Sequence, residues 1–111
     1  MRWTSLAGTI ASAFALAAPV AHAQQTANLS VSGKNHKFQP AELHAPANVP
    51  IVITVKNLDS AQMEFESTTL RVEKVIGGNG QATIRIRPLA PGRYEFYDDF
   101  NQQAGGVLVV R

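Results

Sequence analysis

Acidic side chains at two places in the sequence could bind a metal ion. Glu64 and Glu66 flank Phe65 in a short strand-like segment, so if Phe65 points into the core, the two glutamates share the opposite face, about 7 Å apart at Cα. Asp98 and Asp99 follow an aromatic segment where a loop should begin, and adjacent carboxylates repel each other unless a cation compensates. Oxygen donors with one imidazole would suit iron or copper(II) better than copper(I). Because surface carboxylates are common, these residues alone favour the alternative of a solvated strand and an acidic turn.

Several other kinds of chemistry are excluded by residue types. The chain contains no cysteine, which excludes a thiolate nucleophile, a Cys-ligated zinc and a type 1 copper site. His36 and His44 have no nucleophile elbow to serve. The glycine cluster at residues 77–80 lacks the spacing of a phosphate loop, and it predicts a hairpin turn instead. Binding rather than catalysis is therefore the expected activity.

The elements that must position these residues have the period of β-strands. Apolar and polar residues alternate in short segments separated by Gly, Pro and Asn, and no window carries a long helical stripe. The stronger predicted strands are residues 49–57, 82–87, 92–97 and 107–110, and the weaker ones are 29–31, 42–45, 64–67 and 72–76. Tyr94, two residues after Pro-Gly, predicts a corner in which its hydroxyl donates to a backbone carbonyl a few residues upstream. The sequence thus predicts an all-β, antiparallel β-sandwich or small barrel of about seven to eight strands, with a Greek-key corner at Tyr94.

The N-terminal segment is typical of a secretory signal. Arg2 precedes an uncharged apolar stretch, which ends at a small-x-small cleavage site at Ala21-His22-Ala23. We therefore expect a signal peptide over 1–23, a mature domain over 24–111 that is not membrane-embedded, and a periplasmic location. Removing Arg2 leaves nine basic and eight acidic residues, which is not the charge balance of a nucleic-acid-binding protein.

Three segments resemble those of the cupredoxin-like domain family. Residues 35–43 (NHKFQPAEL) resemble the opening of these domains, residues 57–65 (NLDSAQMEF) the segment with the first metal ligand, and residues 94–98 (YEFYD) the strand before the ligand loop. The resemblance covers Leu29 to Val110 and implies a Greek-key β-sandwich, in agreement with the periodicity. In copper-carrying members the first-ligand segment ends in histidine and a cysteine follows the aromatic strand; here Met63 and Asp98 occupy those places. The resemblance therefore does not imply a blue-copper site.

A narrower group resembles the chain in more segments. Residues 63–67, 70–76, 88–94 and 96–101 are similar to those of small periplasmic cupredoxin-like proteins of bacterial iron uptake. Those proteins accompany an Ftr-type iron permease and a separate periplasmic iron-binding protein, and they are related to the cupredoxin-like domain of EfeO proteins. The resemblance implies a periplasmic accessory protein that binds iron, copper or both, with the membrane permease and the iron-binding protein as partners.

The same resemblance implies a set of metal ligands drawn from both acidic segments and the first strand: Glu64, Glu66, Asp99, His36, Asp98 and Met63. Met63 could bind copper(I) or fill a gap in the core, and His36 could be a ligand or a structural residue beside Phe38. If Met63 and Phe65 point inward, the two glutamates point away from the ancestral copper pocket, and the metal site moves to the surface.

Two other functions remain open on the sequence. A metal-free β-sandwich could act as an interaction module, for example on a permease loop. Alternatively, the protein could be a copper-dependent subunit that oxidises ferrous iron. Metal binding would distinguish the metal-binding accessory protein from the metal-free interaction module. Turnover of ferrous iron under air would distinguish the oxidase subunit from a protein that only binds metal.

Overall fold

The computed structural model describes residues 4, 8–13 and 25–111 of the chain. Most of the predicted signal peptide, including its cleavage site, lies outside these residues. Every regular element within them is a β-strand, and this part of the chain has no helix that could span a membrane. The strands are β1 (Ala27–Lys34), β2 (Lys37–Gln39), β3 (Glu42–Ala45), β4 (Ile51–Asn57), β5 (Met63–Ser67), β6 (Val72–Ile76), β7 (Gln81–Ile86), β8 (Gly92–Asp98) and β9 (Asn101–Val110).

The strands form two sheets, which confirms the predicted β-sandwich. Sheet A has the order β2-β1-β4-β7, and sheet B has the order β3-β9-β8-β5-β6. The pairing is not antiparallel throughout, as the sequence had suggested, because β1 pairs in parallel with β4 and β3 pairs in parallel with β9. The chain passes from one sheet to the other between these strands, so each parallel partner is reached by a crossover rather than by a hairpin.

The alternation of apolar and polar residues determines which face of each strand is buried. In β4, Ile51, Ile53 and Val55 are buried, whereas Thr54 and Lys56 lie on the outer side. The sequence did not predict β2, since three residues are too few to show a period of two.

Three phenylalanines fill the space between the sheets. Phe65 of β5 and Phe96 of β8 stack with their ring centroids 5.0 Å apart, and Phe38 of β2 meets Phe96 edge-on at 5.1 Å. All three side chains are buried. Packing Phe65 between the sheets determines which way the neighbouring residues of β5 must point.

Two predicted turns have different outcomes. The Tyr94 corner is confirmed, because its hydroxyl donates to the Ala90 carbonyl at 2.7 Å. The glycine cluster at 77–80 does not form a hairpin. It connects β6 of sheet B to β7 of sheet A, which are not paired, and the Gly80 N–H donates to the Gly77 carbonyl within it. A turn between two sheets and a hairpin turn require the same residue types, so the sequence could not separate them.

Candidate metal site

Strand β5 places its residues alternately inside and outside the sandwich. Met63 and Phe65 are buried in the core, where they are 5% and 0% exposed. Because successive side chains of a strand point to opposite faces, Glu64 and Glu66 lie together on the outer face of sheet B. This is the arrangement that the sequence predicts if Phe65 points inward.

Asp99 completes a group of three carboxylates. It lies in the turn between β8 and β9, and its N–H donates to the Glu64 carbonyl at 3.0 Å, which holds the turn against the start of β5. One carboxylate oxygen from each of Glu64, Glu66 and Asp99 lies within 4.8 Å of the others. We call these residues the carboxylate trio; Glu64 is buried, Glu66 is half-buried and Asp99 is exposed. Such a group can bind one cation from the solvent side.

Glu73 is a fourth carboxylate that sequence reasoning missed. It lies on β6 directly opposite Glu66 in the antiparallel register. It also hydrogen-bonds to Glu64 and raises the pKa of that residue through its charge. The signal that could have revealed it is the pairing of β5 with β6, since directly opposed residues have neighbouring side chains. Glu73 therefore adds negative charge beside the trio without belonging to the group of converging oxygens.

The surroundings of Glu64 favour its protonated form. Burial is the largest cause, and a hydrogen bond with Glu66 is the next. Glu73 contributes through its charge and through a hydrogen bond, and the charge of Asp99 adds to these. Together they raise the pKa of Glu64 from 4.5 to about 7. At neutral pH, Glu64 is therefore about half protonated.

The raised pKa predicts a pH dependence of stability in the metal-free protein. The folded chain holds the Glu64 proton up to about pH 7, whereas an unfolded chain releases it near pH 4.5. This stabilising contribution is complete below pH 4.5 and is lost as the pH rises through 7.

We expect Glu64→Gln to be stabilised relative to wild type at pH 8 and to lose that advantage at pH 4.5. Urea unfolding at both pH values measures this. Glu95→Gln, which changes an exposed glutamate of β8, is the control, and an equal gain in that variant would contradict the assignment.

Asp98 has a different environment from Asp99. Its side chain is 7% exposed, and its Oδ1 accepts the N–H of Glu64 at 2.9 Å and the N–H of Phe100 at 3.0 Å. It therefore ties the β8–β9 turn to β5 and is not part of the carboxylate trio. Its contact with Glu64 is made through the backbone, so Asp98 positions the segment that carries two of the three carboxylates.

Removing the Asp98 carboxyl should loosen this turn. Asp98→Ala leaves two N–H groups without their acceptor, and we expect a loss of about 3 kcal/mol in the free energy of unfolding. Asp98→Asn keeps an acceptor oxygen and should cost less than about 1 kcal/mol. Urea denaturation of both variants measures the difference. Equal losses would show that the charge, rather than the two hydrogen bonds, stabilises the turn.

The remaining predicted ligands line a separate cavity of about 310 Å³ at one end of the sandwich. Met63, His36 and Asp98 contribute to its walls, together with Phe38 and Asn101. The structure thus divides the six predicted ligands into two sets. Three form the carboxylate trio on the outer face of sheet B. The other three line the cavity, which lies on the inner side of sheet B.

The two histidines of the described domain are both away from the trio. His36 has a left-handed backbone (φ 61°) in the turn between β1 and β2, and its Nδ1 hydrogen-bonds to the Asn101 side-chain amide. His44 is exposed on β3, with its Nε2 3.4 Å from a Glu42 carboxylate oxygen. His44 therefore lies at the solvent-exposed surface, and His36 does not join the three carboxylates.

Comparison with known proteins agrees with the β-sandwich fold. A sequence model described as the cupredoxin-like domain matches residues 6–110. The chain belongs to the cupredoxin-like domain family. This protein is also 35% identical over 83 residues to an uncharacterized protein of Rickettsia prowazekii (strain Madrid E); the match covers 74% of this chain and 66% of the relative, just under two thirds of its length.

Solved cupredoxin-like structures share the fold at low sequence identity. The metal-binding domain of the Cu(I)-exporting P-type ATPase CopA of Streptococcus pneumoniae D39 has a TM-score of 0.65 and 18% identity, with 80% of this chain and 98% of that chain covered. Auracyanin A, a blue copper protein of Chloroflexus aurantiacus, has a TM-score of 0.66 and 15% identity, with 78% and 100% covered. At these identities the likeness establishes the fold alone.

The copper chemistry of blue cupredoxins does not fit the donors of this chain. A type 1 site needs a thiolate, and the whole sequence lacks cysteine. In the cavity of this cupredoxin-like protein, the candidate donors include a thioether at Met63, an imidazole at His36 and carboxyl groups at Asp59 and Asp98. The group of three converging carboxylates lies on the outer face instead.

Proposed function

We propose that this cupredoxin-like protein binds iron or copper(II) through the carboxylate trio and serves as a periplasmic accessory protein of an iron-uptake system. The observation that carries the proposal is the convergence of Glu64, Glu66 and Asp99 oxygens within 4.8 Å. These residues come from two sequence segments more than thirty positions apart. Their like charges repel one another at this distance, and a bound cation would compensate them.

The chemistry of the donors favours a hard ion. Carboxylate oxygens suit iron and copper(II), whereas thioether and thiolate ligands select copper(I). Met63, the one candidate thioether, is buried on the inner side of β5 and does not face the trio. The trio should therefore discriminate against copper(I).

The exposure of the trio suits transfer rather than permanent storage. Asp99 is exposed and Glu66 is half-buried, so an ion could reach the site from solvent without opening the sandwich. Glu73 adds negative charge beside Glu64, which increases the attraction of the site for a cation. An ion with one open side can be passed to another protein, which is the role expected of an accessory protein.

The location and partners rest on sequence features. The N-terminal segment supports export to the periplasm, and the similarity to accessory proteins of iron uptake supports a membrane iron permease and a periplasmic iron-binding protein as partners. Expression that rises under iron starvation would support this role. Expression that follows copper load alone would contradict the link to iron uptake.

Metal titration of the purified protein tests the binding step. We expect one equivalent of copper(II) or ferrous iron to bind, the latter under anaerobic conditions, with copper(I) binding more weakly. Calorimetry measures the affinity and the stoichiometry. Dissociation constants above about 1 mM for both ions, equivalent to about −4 kcal/mol, would overturn the proposal and favour a metal-free interaction module.

A further inference from the structure

The two sheets of the sandwich carry opposite charges. The four strands of sheet A contain four cationic residues and no aspartate or glutamate. The strands of sheet B other than β9 contain all six strand carboxylates: Glu42, Glu64, Glu66, Glu73, Glu95 and Asp98. Although the net charge of the predicted mature chain is close to zero, the molecule is polarised from one sheet to the other.

The cations of sheet A are Lys34, Lys37, Lys56 and Arg85, and we call the outer surface that they share the basic face. All four side chains are exposed. Lys34 and Lys37 face each other across β1 and β2, whereas Arg85 pairs with Val52 near the other end of the sheet. The charges are therefore spread over all four strands and about 20 Å of strand length.

These cations are not neutralised within the domain. In residues 25–111 the one basic side-chain nitrogen within 4.0 Å of a carboxylate oxygen belongs to His44, beside Glu42 on sheet B. Asp59 lies in the loop after β4, and its carboxylate accepts the Asn35 N–H at the end of the sheet. The basic face is thus open to an external anion.

The residues between the cations indicate what kind of anion fits. They are mainly small polar side chains, such as Ser30, Ser32 and Thr54, on the outer side of the sheet. Of the four cations, Lys34 and Lys37 also line the cavity at the end of the sandwich. Phe38 is the one aromatic residue in these four strands, and it is buried, so the face offers no ring on which a base could stack. A broad cationic surface with small polar side chains between its charges matches an extended layer of phosphate groups.

We infer that the basic face docks on an anionic phospholipid bilayer. Each lysine or arginine near such a surface contributes about fivefold in affinity (about 1 kcal/mol). Docking through sheet A leaves the outer face of sheet B, with the carboxylate trio, turned away from the lipid and open to the aqueous side. The inference depends on the charges of sheet A and not on metal binding, so the two proposals can fail separately.

Vesicle sedimentation tests this docking with the processed protein recovered after export, whose N-terminus is checked by mass spectrometry. We expect binding to phosphatidylglycerol vesicles at low salt, little binding to phosphatidylcholine vesicles, and release of the protein in 0.5 M salt because screening weakens surface charges. Lys56→Glu with Arg85→Glu should lower the affinity at least about 25-fold, from the two lost cations alone. The matched control is Lys74→Glu with Arg93→Glu on sheet B, which changes the net charge equally and should retain most of the binding.

Three results would overturn the inference. The first is no binding to phosphatidylglycerol vesicles at low salt. The second is an equal loss in the sheet B control with both proteins folded by circular dichroism, since net charge rather than the basic face would then govern the attraction. The third is binding to single-stranded DNA or to an acidic polypeptide without binding to vesicles, which would assign the face to a polyanion or a protein partner instead.

Discussion

Asp99→Asn is expected to lower the affinity for copper(II) or ferrous iron by at least about 100-fold. The substitution replaces one of three anionic oxygen ligands with a neutral amide, and loss of a residue that only supports a ligand already costs about 10–100-fold. Glu64→Gln should have an effect of the same order, because it removes the negative charge of the buried member of the trio. Calorimetric titration of the purified variants measures both losses.

The neighbouring aspartate provides a matched comparison. Asp98→Asn keeps the acceptor for the N–H groups of Glu64 and Phe100, so its affinity should stay within a few-fold of wild type. Glu95→Gln, which removes an exposed carboxylate outside the trio, should leave binding unchanged. A loss in Asp98→Asn as large as that in Asp99→Asn would show that Asp98 is itself a ligand, as the sequence resemblance had implied.

Phe65→Ala is expected to destabilise the domain by about 4 kcal/mol. Phe65 is fully buried, stacks on Phe96 and meets Phe38 edge-on at 6.0 Å, so its loss leaves a cavity between the sheets. A loss of this size is a large part of the stability of a small domain. Because Phe65 also fixes the orientation of Glu64 and Glu66, metal binding should weaken in the same variant.

Urea denaturation measures this loss. Phe65→Leu, which keeps most of the buried volume, is the control and should cost about 1 kcal/mol. If Phe65→Ala lost less than about 1 kcal/mol, the aromatic cluster would not be the element that holds the two sheets together.

The outer face of β5 was predictable because the required signal is local. Alternation around Phe65 is enough to place Glu64 and Glu66 on one side, and it also shows that Met63 belongs to the other side. The Tyr94 corner was predictable for the same reason, since its acceptor lies four residues upstream.

The contributions of Glu73 and Asp98 depend on long-range pairing. Glu73 approaches the trio because β6 pairs with β5 in one particular register, and a single sequence does not specify that register. The Asp98 carboxyl accepts an N–H from a residue 34 positions away, so its positioning role follows from the contact of β8 with β5. The resemblance grouped Asp98 with Asp99, whereas the structure places these two neighbours in different environments.

The metal position in a crystal of the loaded protein tests the central claim most directly. Anomalous diffraction at the absorption edge of copper or iron locates the ion independently of any variant. We expect one ion on the outer face of sheet B, bonded to carboxylate oxygens of at least two of Glu64, Glu66 and Asp99. An ion held instead inside the cavity by Met63 and His36, with the three carboxylates free, would contradict it.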